Sequence, residues 1–146
     1  MSILHFCDEM PASVKPTASV AQTIRLMLER RVGAVAVVDE EHKVAGIFTE
    51  RDVLRKLALS GRDPDTVPVH ELMTTPVEMA TPEMGPREAL EVMVERHYRH
   101  LPIVDNDGHL LGMLSIRNLL QAQIDELRQQ MDSLEHYVSN DGPGGD

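Results

Sequence analysis

The sequence of 146 residues contains no tryptophan, and aromatic residues make up 3% of it. Any core it forms is therefore aliphatic. A single cysteine, Cys7, excludes an intramolecular disulfide and fits a reducing compartment. No apolar run approaches the ~18 residues that a membrane helix needs, so no membrane partner is expected. Cationic residues are scarce as well: 14 Lys and Arg stand against 24 Asp and Glu, for a net charge of −10. That balance argues against nucleic acid as the main partner, and it requires any bound anion to find a local basic cluster. The first residues, "MSILHFCDEM", hold no basic stretch and too short an apolar run for a signal peptide, so the expected location is cytoplasmic. P-loop and G-x-S-x-G motifs are missing, and Cys7 has no motif partner. No catalytic residue is assigned, and the chain is read as a non-enzyme.

What the sequence does contain is a duplication. Shifted by 66 positions, residues 16 to 54 align with residues 82 to 120 without a gap. Pro16 falls on Pro82, Met27 on Met93, Val38-Asp39 on Val104-Asp105, Gly46 on Gly112 and Arg51 on Arg117. In each copy apolar residues first recur at helical spacing (Val20, Ile24, Met27; Leu90, Met93, Val94). Two short apolar runs follow, "AVAVVD" with "VAGIFT" and "LPIVD" with "LLGMLS", separated by "DEEHK" or the turn sequence "DNDG". A second helix begins at Glu50 and at Ile116, and a short extended piece is expected before each unit, around Val14 and Val77. Units of about 60 residues bury little alone, so the copies should pack together. The polar stretch 61–68 reads as the linker between them.

The doubled pattern "GIFTERD" and "RHLPIVDNDGHLLGMLSIRN" resembles a tandem pair of cystathionine-β-synthase (CBS) domains over roughly residues 8 to 122. The resemblance implies an α+β fold: a β-α-β-β-α unit used twice, over 8–60 and 69–122, with the two small sheets packed together. It also implies a regulatory module that binds adenosine-containing ligands in clefts between the halves. The ending "SLEHYVSN" is similar to that of small stand-alone bacterial members, whose ligands include AMP, ATP and NAD(H). Such a nucleotide is a ligand, not a catalytic cofactor.

Thr49 and Asp52 stand where a strand meets a helix, and two readings of them remain open. One is a helix N-terminus, with Thr49 as cap and an acidic residue three positions on. The other uses the same helix start to receive phosphate, with Thr49 adding a hydrogen bond and the Asp52 carboxylate accepting from a ribose diol. In the family this Asp holds the ribose, and Asp52 matches it. In the second copy Ser115 replaces Thr49 and Asn118 replaces Asp52, which removes the charge and points to a weaker, different or empty second cleft. Arg51 and Arg117 lie in the two helix starts. Within "ERHYRH", Arg96 and His97 read as a solvated helix end. Arg99 and His100 lead into the strand where the family places phosphate contacts. Small Gly33 and Ala34, at the matching place in copy one, leave room for a flat base. His97 and His100 are three apart, but nothing nearby completes a metal sphere and no metal is assigned.

Leu120, Ile124, Leu127, Met131, Leu134 and Val138 alternate by four and three, an a/d seam on a helix over 123–138. It reads either as a helix lying on its own domain or as a homodimer contact, and the resemblance implies a homodimer. Residues 139–146 are expected to be a flexible tail. The sequence thus reads as a sensor of an adenine nucleotide, passing its output to an unidentified effector protein. The alternative is an interaction or scaffold dimer whose clefts are vestigial.

Overall fold

Each half starts from a helix whose ends are written in its sequence. The computed structural model describes residues 2–141. Ser19 caps helix α1 (Val20–Arg30): its hydroxyl accepts from Gln22 N–H, and the Gln22 side chain accepts from Ser19 N–H. The helix buries Val20, Thr23 and Met27, one face at helical spacing, and ends at Arg31 in the left-handed region. Its repeat partner α3 (Pro86–Arg96) begins at Gly85 with Pro86 in the first turn, buries Ala89 and Met93, and ends at left-handed His97.

The two hairpins are equally regular. Strands β2 (Ala34–Val38) and β3 (Val44–Thr49) pair antiparallel, as do β4 (His100–Val104) and β5 (Leu110–Ser115). Both ladders shift register at repeat-equivalent places, between Val37 and Val38 and between Ile103 and Val104. The short strand β1 (Ser13–Val14) adds parallel to β2, giving the order β1-β2-β3. In the second half the same segment is reduced to one parallel bridge between Ala80 and Ile103. The difference has a covalent cause. Ala36 N–H donates to Ala12 O at 3.0 Å, whereas the equivalent residue is Pro102, which has no N–H to give. The second extended piece therefore lies at Ala80, 66 positions after Val14. Val77, where it was expected, packs instead against the cluster between the sheets.

Strand β2 is buried along its whole length because both faces are covered. Val35 and Val37 meet Val20, Met27 and Phe48 on the helix side. Ala34, Ala36 and Val38 meet Leu110 and Met113 of the other half, so the two small sheets pack together through small side chains. Main-chain bonds join the hairpin ends: Val44 N–H to Gly108 O at 3.1 Å and Leu110 N–H to His42 O at 3.2 Å.

The halves also exchange segments. A turn at Ile3–His5 puts fully buried Ile3 into the second core, with Met93, Leu101 and Leu119. The equivalent turn at Val69–Glu71 puts Val69 into the first core. Asp8 bridges to Met113, and Thr74 bridges to Ile47, again 66 positions apart. The duplication therefore extends further toward the N-terminus than the sequence alignment does. The stretch read as a linker is packed rather than free, since Val67 is buried and Val67 O and Pro64 O accept the first N–H groups of α1.

The second helices differ most. Helix α2 (Glu50–Asp52) runs straight into a π-helical turn, Val53–Leu57, and stops. Helix α4 continues from Ile116 to Asp141. It therefore runs past the start of the tail expected at 139, and 142–146 lie outside the described residues.

Candidate functional site

Two clefts open between the halves, and each combines a strand–helix junction from one copy with the helix–strand junction of the other. Cleft one, about 720 Å³, joins Thr49, Arg51 and Asp52 to the run Arg96–His100. Cleft two, about 970 Å³, joins Ser115, Arg117 and Asn118 to the run Arg31–Ala34. All ten residues singled out in the sequence line one or both clefts. Gly33, Glu50, Arg99 and His100 form a wall common to the two.

The Asp52 carboxylate lies at the bottom of cleft one, and the protein itself engages it. Asp52 Oδ2 accepts from Thr49 N–H at 3.0 Å and from the Thr49 hydroxyl at 3.3 Å. Asp52 Oδ1 accepts from the Thr74 hydroxyl at 2.8 Å and lies 3.2 Å from Lys56 Nζ. Asp52 N–H in turn donates to Thr49 Oγ1, closing a capping box. The capping geometry is thus present in full, and a ribose diol would have to displace a donor from Oδ1. Lys56, four residues on from Asp52, is legible at that spacing. Thr74 is not, because no local pattern ties it to Asp52.

Around this carboxylate stand Arg51, Arg55, Lys56, Arg96 and Arg99, against Glu50, Asp52 and Glu78. Arg51 donates to His97 O at 2.9 Å, and Arg96 lies 3.7 Å from Glu78. The guanidinium groups of Arg55 and Arg99 have no hydrogen-bond or ion-pair partner among the described residues, and both residues are exposed, so their charges face the cleft or solvent. Ile47, Pro76, Val77 and Tyr98 provide its apolar surface. A surplus of cations in an acidic chain, beside apolar walls, is chemistry for an anion carrying a flat group.

Cleft two is built differently. Asn118 N–H donates to Ser115 Oγ at 3.0 Å, but the Asn118 side chain is exposed. The Lys56 position is Ala122 here, and the Thr74 position is Asp8, which lines the cleft. Ile24, Met27, Val32 and Val53 form its apolar walls. Ala34 lies in the buried layer between the sheets. Gly33 lines both clefts, and a Cβ there would lie 3.3 Å from the His100 ring and 3.5 Å from the Glu50 carboxylate.

His100 occupies the shared wall. Burial pushes its imidazole below the usual histidine range; nearby Glu50 opposes that shift and Arg99 adds to it. The neutral ring can offer a ligand one N–H or one lone pair, not a full charge. His97 caps α3 through its backbone and is exposed, and it lines cleft one with His100.

Comparison with known proteins agrees with this architecture. The CBS domain model matches residues 5–59 and 69–125. A 17.7 kDa protein of Acidianus ambivalens is 36% identical over 88% of this chain and 77% of its own length. The mitochondrial CBS domain-containing protein CBSX3 of Arabidopsis thaliana is 33% identical over 82% of the chain, which spans 60% of that protein. Among solved structures, a proposed signal-transduction protein with CBS domains from Burkholderia ambifaria superposes with a TM-score of 0.78 at 32% identity, covering 86% of this chain and 95% of that one. CBSX2, solved in complex with AMP, superposes with a TM-score of 0.73 at 26% identity, covering 85% and 96%. The duplicated hairpins, their packed sheets and these matches lead to one conclusion: the chain belongs to the CBS-domain family and carries two CBS units in tandem.

Proposed function

We propose that this protein is a non-catalytic sensor in which cleft one binds an adenine nucleotide (AMP, ATP or NAD(H)) and relays occupancy to an effector protein. The observation that carries the reading is the cation surplus of cleft one, set beside an apolar wall and a buried carboxylate in a chain of net charge −10. Phosphate lies toward Arg51, Arg55 and Arg99, and the ribose diol takes the place of Lys56 on Asp52 Oδ1. The freed ammonium then turns to the phosphate. AMP bound to CBSX2 supports the ligand class. The exposed seam on α4 supports assembly as a homodimer.

One observation favours a second reading, a scaffold with vestigial clefts: Asp52 is already fully hydrogen-bonded within the protein. A thermal-unfolding panel of AMP, ATP, NAD⁺, NADH and S-adenosylmethionine separates the two. A ligand at 100 times its Kd adds about 2.7 kcal/mol of stability. No stabilisation by any member of the panel would leave the scaffold reading standing.

A further inference from the structure

The two clefts exchange the position of their acid. In cleft one the carboxylate is residue 52 and the hydroxyl facing it is residue 74, with Thr74 Oγ1 2.8 Å from Asp52 Oδ1. Sixty-six positions away from each, cleft two has an amide at Asn118 and a carboxylate at Asp8. The backbones of Asp8 and Thr74 are held alike. Asp8 N–H donates to Met113 O at 3.0 Å and Met113 N–H to Asp8 O at 3.1 Å. Thr74 and Ile47 exchange the same two bonds at 2.8 and 3.1 Å. An equivalent backbone pairing sends the side chain to the same side, and Asp8 lines cleft two together with Asn118.

We propose that Asp8, rather than Asn118, is the ribose-binding acid of cleft two, so that this cleft is a second site for a molecule carrying a vicinal diol. The proposal rests on the reading of the chain as a nucleotide sensor. Its support is the state of the two carboxylates. Both oxygens of Asp52 carry two donors each from within the protein. Asp8 Oδ1 accepts from Met10 N–H at 3.0 Å, and Asp8 Oδ2 has a 3.7 Å ion pair with Arg30 and no hydrogen bond among the described residues. Free lone pairs therefore remain on a half-exposed charged group, and a diol can take them without displacing a partner. Asn118 offers one neutral oxygen, and the beginning of α4 brings Ser115 and Arg117 to the same cleft for the phosphate end. Three cations, Arg31, Arg99 and Arg117, line cleft two against five in cleft one, so cleft two suits a ligand of lower negative charge.

The test is titration calorimetry of the full chain with AMP and with 2′,3′-dideoxy-AMP, which lacks the diol. The parent should show two sites per chain. Asp8→Asn, which keeps an oxygen for Met10 N–H, should raise the Kd of one site at least tenfold and leave the other within about twofold, while dideoxy-AMP should no longer distinguish variant from parent at that site. If Asp8→Asn does not fold, Asn118→Ala decides in its place: the second site must keep its affinity for AMP within about twofold and still lose at least tenfold on removal of the diol. Two sites unchanged by Asp8→Asn, with one weakened by Asn118→Ala, would return the role to the amide and overturn the proposal. A single site insensitive to Asp8 overturns it as well. Absence of any nucleotide binding by the parent would overturn the sensor reading itself, and with it this inference.

Discussion

Under the proposed nucleotide reading, Asp52 in cleft one serves stability and recognition through the same carboxylate. Asp52 accepts from the Thr49 backbone as a helix cap and faces the cleft as a carboxylate. Asp52→Ala should therefore cost about 1 kcal/mol of stability through the lost cap and, separately, weaken nucleotide binding at least tenfold, about 1.4 kcal/mol. Calorimetry showing equal affinity in variant and parent would assign the residue to capping alone. His100 gives a pH signature of its own. Burial holds its folded pKa below the unfolded value, so between the two the unfolded chain binds the extra proton. The stability contributed by neutral His100 is complete above pH ~6.5 and is lost as the pH falls through the folded pKa. Chemical denaturation in the range below pH 6.5 should show a shallower loss for His100→Gln than for the parent. Identical slopes would place the acid sensitivity elsewhere. The cleft-lining candidates are legible one by one, since T-x-x-D, the basic run and the Gly-Ala pair are local strings. Of the polar residues beside them, Lys56 stands at a local helical spacing, whereas Thr74 and Asp8 reach the clefts through long-range bridges.

Among the elements, the duplicated hairpins are tied by glycines that admit a neighbouring chain segment. A Cβ on Gly46 would run into the Met73 side chain, and one on Gly112 would lie 2.6 Å from Cys7 Sγ and 3.0 Å from Asp8 O. The Met73 side chain is long and can move aside, whereas the Asp8 carbonyl belongs to a backbone bridge. Gly112→Ala should thus destabilise by about 1–3 kcal/mol, and Gly46→Ala by less. Urea unfolding that ranks the two in the opposite order would contradict this account. The order of helices and strands was readable because periodicity, the "DNDG" turn and the cap residues are short-range signals. The reduction of the second extended segment to one bridge was also encoded, in Pro102, yet it becomes visible only when the parallel partner is known. The exchange of 3–8 and 69–74 between cores left no local trace, because Ile3 and Val69 look the same in sequence whichever core they enter.

For the molecule as a whole, α4 carries an apolar stripe that the rest of the described chain leaves uncovered. Leu127, Met131 and Leu134 are 58–63% exposed, so the seam does not lie on its own domain. Such a stripe calls for a partner surface, and a twofold contact is the commonest closed arrangement for one. Truncation after Gln123 should raise the dimer dissociation constant in sedimentation equilibrium. An unchanged constant would assign the dimer to other faces, and a monomeric full chain would refute the assembly. The sequence by itself determined the duplication, its 66-residue offset, the element order and the residue types at the helix starts, because each is a pattern within one segment or between two aligned ones. Only the tertiary structure decided which junction faces which, how Asp52 is occupied, where Asp8 lies and that the α4 seam is bare. Those outcomes depend on how two aliphatic cores bury their surfaces against each other, a balance made by contacts between residues distant in the chain.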